Sequence, residues 1–146
     1  MARLLPLRLL VTFMALIGVS ELASGQQAPT NLAMLEAAGS GDVESLKRLI
    51  AAGAAVDPVN AAGETPLLLA VRTNELAAAL LLIDAGSNIN AQAANMDSPW
   101  LLAGALGRTE MIRHMIPMGP DFSLRNRFGG NALIPACERA HVETVK

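Results

Sequence analysis

Residues 64–71 read "ETPLLLAV", a Thr-Pro step followed by an unbroken apolar run. Such a run alone does not separate a buried strand, part of a membrane helix and a short packed helix. The Thr-Pro step favours the short helix, because a threonine oxygen can cap a helix start and proline is tolerated at the first helical position. We therefore predict a helix of about two turns over Pro66–Arg72.

The same pattern recurs every 33 residues, since Thr65-Pro66 aligns without a gap with Ser98-Pro99. The second step predicts another short helix over Pro99–Leu106. A period of this length indicates a repeat architecture, in which each unit buries its apolar face against its neighbours. The predicted repeats are 29–61, 62–94, 95–127 and an incomplete 128–146.

Each repeat continues with a second predicted helix, in which apolar residues recur at i, i+3 and i+4 on one inward face. These helices run near Asp42–Ala52, Glu75–Ala85 and Arg108–Met118. The predicted inward residues are Leu46, Leu49, Ile50, Ala79, Leu82, Ile83, Ile112, Met115 and Ile116. Asn74 and Gly107 precede the second and third of these helices, where a left-handed residue is wanted. Pro117 should bend or shorten the third helix.

The composition agrees with packed helices. Hydrophobic residues make up 52% of the 146 residues and aromatic residues only 3%. Alanine and leucine, both strong helix formers, supply most of the apolar content. The formal net charge is −2 and the basic residues are not clustered, which argues against a nucleic-acid partner. The single cysteine cannot form an internal disulfide.

The 33-residue unit resembles the ankyrin repeat, through "GETPLLLA" and "AGSNIN" in one unit and "DSPWLLA" and "MGPDFS" in the next. The resemblance covers 29–146 and implies an all-α solenoid of stacked helix-turn-helix units with short hairpin loops. Met96 replaces a glycine that the chain has at Gly63 and Gly129. The family's histidine is replaced throughout, so contacts between repeats should be apolar there. The replacing residues are Leu35, Leu68, Leu101 and Ile134.

Residues 1–25 have the features of a secretory signal. Two arginines precede the apolar segment 9–19, which is too short for a bilayer that takes roughly 20 apolar residues. Cleavage after Gly25 would leave small residues, Ala23 and Gly25, before the cut. We expect a bacterial protein, exported to the periplasm or secreted, whose mature part 26–146 does not associate with the membrane. An uncleaved membrane anchor is the alternative.

The chain stops at Lys146, about one turn into the second helix of the fourth repeat. Repeat arrays need a terminal unit with a polar outer face, and the sequence contains none there. We therefore expect the sequence to be part of a longer array.

The sequence offers little for catalysis, and we expect no catalytic, cofactor-binding or metal site. Cys137 and His141 are spaced as i and i+4, which raises the hypothesis of a small thiol enzyme. Cys137, however, aligns with Val71 at a packing position, which favours a buried structural thiol. His114 is expected to be partly exposed and has no metal-binding partner on its helix.

The resemblance implies that the protein binds a partner protein through its hairpin tips and the concave face of its first helices. We expect a monomeric scaffold without enzymatic activity; an inhibitor that neutralises a toxin, or a thiol enzyme using Cys137, are the alternatives. The candidate binding residues are Asn60, Leu69, Gln92, Asn95, Met96, Asp97, Leu102, Leu106, Arg125, Asn126, Arg127 and Phe128, with Glu36 and Val59 beside them.

The apolar members of this set are expected to be exposed and to form a groove, as interaction patches do. These are Leu69, Met96, Leu102, Leu106 and Phe128. The alternative is that they pack within the array. Replacing Leu68 should lower stability, whereas replacing Leu69 should mainly weaken binding.

Overall fold

The computed structural model describes residues 27–131, which are helices and connecting loops without a β-strand. The predicted signal 1–25, Cys137 and His141 lie outside these residues. The helices are α1 (27–40), α2 (Val43–Ala51), α3 (Pro66–Thr73), α4 (Leu76–Asp84), α5 (Pro99–Leu106) and α6 (Thr109–Met115), the last followed by a 3-10 turn over Ile116–Met118.

The predicted helix starts are confirmed. The Leu68 N–H donates to Thr65 Oγ1 and the Leu101 N–H donates to Ser98 Oγ, both at 3.2 Å. The proline after each cap occupies the first helical position. Two otherwise unpaired backbone donors are thus satisfied where α3 and α5 begin, as a side-chain cap requires.

The left-handed turns predicted at Asn74 and Gly107 are confirmed, and Gly41 makes the same turn one repeat earlier. Gly41, Asn74 and Gly107 hold the left-handed conformation, with φ of 73°, 66° and 66°. Asparagine is one of the few residues other than glycine that tolerates this region. Each turn reverses the chain, so the first and second helices of a repeat lie side by side.

The helices form two layers. First helices α3 and α5 pack on each other in one layer, and second helices α2, α4 and α6 pack in sequence in the other. Helix α3 packs on α4 and α5 packs on α6 between the layers. One apolar core runs through the described repeats, including Met34 of α1, Leu67, Leu82, Trp100 and Met111. A helix of two turns is unstable alone, so this stacking stabilises each repeat.

The second helices bury their apolar faces largely as predicted, except at Ile116. That side chain is 55% exposed, although Ile83, one repeat earlier, is 1% exposed. The predicted inward orientation was wrong because Pro117 ends the α-helix at Met115 and a 3-10 turn follows. The tighter turn rotates the next side chains away from the α-helical face. The predicted shortening by Pro117 is confirmed. Burial of Ala78 and Met111 was not predicted.

Hydrogen bonds join the loops of successive repeats. The Asn88 N–H donates to Asp57 Oδ2 and the Asp121 N–H donates to Asn90 Oδ1, both at 2.9 Å. Asp57 and Asn90 stand one period apart, as do Asn88 and Asp121. The same kind of bond therefore joins the loop after α2 to the loop after α4, and the loop after α4 to the loop after α6.

Candidate functional site

Three hairpin tips project from the loops between repeats: tip 1 (60–64), tip 2 (93–97) and tip 3 (126–130). In each tip the first N–H donates to the carbonyl of the fifth residue, at 3.2, 2.9 and 2.8 Å. The fourth N–H donates back to the first carbonyl at 2.9 Å in all three. This is the pattern of a three-residue hairpin loop whose last residue is left-handed. The three tips are therefore copies of one hydrogen-bonded turn.

Asparagine side chains hold tips 1 and 3 in the same way. Asn60 Oδ1 accepts from the N–H groups of Ala62 and Glu64 at 2.9 and 3.0 Å. Asn126 Oδ1 accepts from the N–H groups two and four residues on, both at 3.0 Å. Asn60 and Asn126 were predicted to bind a partner, but their amides are used inside the turns.

Tip 2 is built differently because Ala93 stands where the other tips have asparagine. Asn95 takes over part of the role: its Oδ1 accepts from the Asp97 N–H at 3.0 Å and its Nδ2 donates to Asp97 Oδ2 at 2.8 Å. These predicted binding residues are therefore also half-buried parts of the turn.

Met96 occupies the left-handed position of tip 2 with φ of 63°. The equivalent positions of tips 1 and 3 are Gly63 and Gly129, with φ of 73° and 77°. A side chain with a Cβ is strained in this conformation, whereas glycine is not. The Met96 side chain is nevertheless 45% exposed.

Hydrogen bonds join the tips into one surface. The Ala94 N–H donates to the Ala62 carbonyl at 3.0 Å, which links tips 1 and 2. Gln92 Nε2 donates to the carbonyls of Met96 and Arg125 at 2.9 and 3.0 Å, which links tips 2 and 3. Gln92, another predicted binding residue, thus acts as a bridge within the array.

The side chains left facing solvent on the tips are apolar or cationic. Phe128 is 80% exposed, and the Arg127 guanidinium lies 4.8 Å from the centre of its ring. Val59 is also exposed just before tip 1. Arg125 is exposed too, but its Nη1 donates to the carbonyls of residues 122, 123 and 124. Arginine, methionine and aromatic residues are enriched where proteins bind each other.

An ion pair connects tip 1 to helix α3. The Glu64 carboxylate pairs with Arg72 of α3 and accepts from Asn60 Nδ2 at 2.9 Å. The Asn60 hydrogen bond lowers the pKa of Glu64, burial opposes that shift, and the bond and charge of Arg72 reinforce it. Arg72 was not among the predicted binding residues, although it is the one charged residue of α3 and is exposed.

The five apolar residues of the predicted groove differ in exposure: Met96 and Phe128 are exposed, and the three leucines are not. Leu69, Leu102 and Leu106 are half-buried. Leu102 packs against the core, and the Leu69 Cβ lies 3.9 Å from where a Cβ at Gly39 of α1 would stand. The three leucines are therefore less exposed than expected, and Leu69 and Leu102 pack in part within the array, as the alternative held. The role of the leucines in binding stays a prediction.

Within 27–131 no group of three or more metal-binding side chains converges. His114 is exposed, with its Nδ1 2.9 Å from the Glu110 carbonyl. A depression of about 440 Å³ lies between α1 and the loop after α2. None of its described lining residues has an ionisable side chain; they are Gln27, Thr30, Asn31, Ala52, Gly53, Ala54 and Ala55. No helix in the described part is long and apolar enough to cross a membrane. The thiol hypothesis for Cys137 and His141 concerns residues outside this part.

Comparison with known proteins agrees with this architecture. A family model described as ankyrin repeats, three copies, matches residues 11–93. The ankyrin repeat protein YahD of Escherichia coli (strain K12) is 35% identical over 112 residues, covering 77% of this chain and 56% of that protein. The B-cell lymphoma 3 protein homolog of Mus musculus is 30% identical over 111 residues, 75% of this chain and 25% of that protein.

Two solved structures have the same arrangement of helices. The ankyrin repeat protein EF0377 superposes with a TM-score of 0.73 at 45% identity, covering 77% of this chain and 58% of that one. An ankyrin repeat domain from Acinetobacter baumannii AYE superposes with a TM-score of 0.73 at 41% identity, covering 77% and 57%. The chain thus spans a little over half the length of these structures and of YahD. The predicted all-α solenoid is confirmed.

Proposed function

The chain belongs to the ankyrin-repeat family, and from that premise we propose that it is a non-catalytic scaffold that binds a partner protein. Ankyrin repeats are generally scaffolds for protein–protein interaction. The binding surface proposed here consists of the three hairpin tips and the adjoining exposed part of the first helices. The observation that supports it is the set of exposed side chains, Met96, Arg127 and Phe128, on tips that internal bonds hold rigid.

Rigidity matters because ordering a flexible loop on binding costs conformational entropy. Tips 1 and 3 are each fixed by an asparagine amide, and tips 2 and 3 are joined through Gln92. Their exposed residues are therefore positioned before a partner arrives. On the second helices, Lys47 is instead paired with Glu44, and Arg113 is paired with Glu110.

Affinity isolation with matched variants tests this proposal. The tagged wild-type chain is compared with a tip variant, Arg127→Glu with Phe128→Ala, and with a second-helix variant, Lys47→Glu with Arg113→Glu. A partner protein held by the wild type and by the second-helix variant, but lost from the tip variant, supports the proposal. A partner lost only from the second-helix variant overturns it.

We further propose that residues 1–25 direct export and are removed after Gly25. Three features of the sequence support this proposal: two arginines near the start, the apolar segment 9–19 that is too short to span a membrane, and the small residues Ala23 and Gly25 before the cleavage position. Expression of the full chain in a Gram-negative host, followed by fractionation and N-terminal sequencing, tests it. A periplasmic or secreted product that begins at Gln26 is expected. A cytoplasmic or membrane-bound product that retains Met1 would contradict the proposal.

A further inference from the structure

Tips 2 and 3 carry a combination of side chains that indicates what kind of partner they recognise. We propose that Met96, Arg127 and Phe128, here called the tip patch, bind a protein segment that presents an apolar side chain next to a carboxylate. This inference rests on the proposed scaffold function and specifies the chemistry of its partner.

The three residues stand on neighbouring tips whose backbones are joined. One nitrogen, Gln92 Nε2, donates to the carbonyl of Met96 in tip 2 and to that of Arg125, which directly precedes tip 3, at 2.9 and 3.0 Å. The two backbones are therefore held beside each other. Arg127 and Phe128 lie two and three residues after Arg125, and the Arg127 guanidinium lies over the Phe128 ring.

Met96 is held at a conformational cost which the fold does not need. Gly63 and Gly129 make the same turn without strain, and the Met96 side chain remains 45% exposed. Residues held in strained backbone conformations cluster at active sites and ligand-binding sites. A flexible, polarisable methionine suits an apolar contact with a partner.

The positive charge of Arg127 is not used within the described residues. No carboxylate there forms an ion pair with Arg127. Two carboxylates of the neighbouring loops have other partners: Asp97 accepts from Asn95 Nδ2, and Asp121 accepts from the N–H and Oγ of Ser123. Arg127 is thus the cation left for a partner carboxylate, beside two exposed apolar side chains.

The alternative ligand for an arginine beside an exposed ring is single-stranded nucleic acid, whose bases stack on aromatic side chains. That reading is disfavoured because nucleic-acid sites need a run of cations along the backbone. The chain has 11 basic and 13 acidic residues, and the patch itself has one free cation. The protein segment is therefore the ligand proposed here.

Selection from a displayed library of random 12-residue peptides tests the proposal without knowledge of the natural partner. The full chain is the target, and recovered peptides are re-assayed against Met96→Gly, Arg127→Glu and Phe128→Ala. Arg113→Glu is the matched control, since Arg113 is an exposed arginine of α6. The expected result is enrichment of Asp or Glu next to aromatic or aliphatic residues. Affinity should fall at least about tenfold in each patch variant and not in the control, as for the central residues of an interface.

Four outcomes would overturn the inference. Recovered peptides that are basic or wholly polar, yet lose affinity in the Phe128→Ala variant, would contradict the stated chemistry and leave the scaffold function standing. Peptides that lose affinity only in the Arg113→Glu control, or a selection that enriches nothing, would count against both proposals. Tight binding of a labelled single-stranded 12-nucleotide RNA, abolished by Arg127→Glu, would replace the protein segment with nucleic acid.

Discussion

Met96 holds the same left-handed backbone conformation as Gly63, which stands one repeat earlier, with φ of 63° and 73°. The two residues close the same hairpin turn through the same hydrogen bond, an N–H donating to the first carbonyl of the tip at 2.9 Å. Only glycine makes that turn without strain. Tip 2 therefore exposes the Met96 side chain at the expense of stability.

Met96→Gly should stabilise the fold by about 0.5–1 kcal/mol, because relief of left-handed strain exceeds the entropy that glycine adds to the unfolded chain. Gly129→Met should destabilise it by about 1 kcal/mol. Gly129 is a matched control, since no described atom lies within 4 Å of a Cβ placed there. Urea unfolding followed by circular dichroism measures both changes. A Met96→Gly variant less stable than wild type would contradict the strain.

Leu68→Ala should lower the free energy of unfolding by about 2–5 kcal/mol, the range for a large-to-small change in a packed core. Leu68 is 0% exposed and stands where the family has histidine, so an apolar contact replaces a polar tie. Leu69→Ala should have a smaller effect because Leu69 is half-buried. Equal losses for the two variants in urea unfolding would show that Leu68 has no special packing role.

Thr65→Ala should lower the free energy of unfolding by about 1 kcal/mol, through loss of the cap on α3. Thr73→Ala is the control: the Thr73 hydroxyl is exposed and donates to the Leu69 carbonyl at 3.0 Å, a bond that the helix does not need. Thermal unfolding of both variants compares them directly. A Thr73→Ala effect as large as that of Thr65→Ala would argue against specific capping.

Acid should weaken the junction between tip 1 and α3. The pKa of Glu64 lies below its ordinary value of 4.5 because of the Asn60 hydrogen bond and the bond and charge of Arg72, which together outweigh the opposing effect of burial. The resulting stabilisation is present above about pH 4.5 and is lost as the pH falls through the lowered folded-state pKa. Glu64→Gln should therefore be less stable than wild type at pH 7, and the difference should shrink below about pH 4.5.

Urea unfolding at pH 7, 5, 4 and 3 measures that difference. Glu44→Gln is the control, because Glu44 forms an exposed pair with Lys47 and such pairs contribute little. A difference in the free energy of unfolding between Glu64→Gln and wild type that stays constant down to pH 3 would contradict this prediction.

The helix starts and turns were predictable because their signals are local. Thr65, Ser98, Asn74 and Gly107 act within a few residues of their own position. The hydrogen bonding of Asn60 and Asn126 within their turns could also have been predicted, since the two asparagines stand two periods apart in the sequence. Ile116 was misplaced because the effect of Pro117 on the last turn overrides the helical period.

The exposed surface was harder to predict because it depends on neighbouring repeats. Leu69 is covered by α1, which its own repeat does not contain. The pairing of Arg72 with Glu64 spans a helix start, at a separation longer than the i+3 or i+4 of helical pairs. The left-handed conformation of Met96 could be suspected from the glycines at equivalent positions, but its exposure required the structure.

The most direct test of the scaffold account is site-specific photo-crosslinking in cells that make the full chain. A photoreactive phenylalanine analogue replaces Val59 or Phe128 on the tip side, and Lys47 or Arg113 on the second helices. The account predicts that the same partner protein is crosslinked from Val59 and Phe128 and not from Lys47 or Arg113. A partner crosslinked from the second helices and not from either tip position would contradict it.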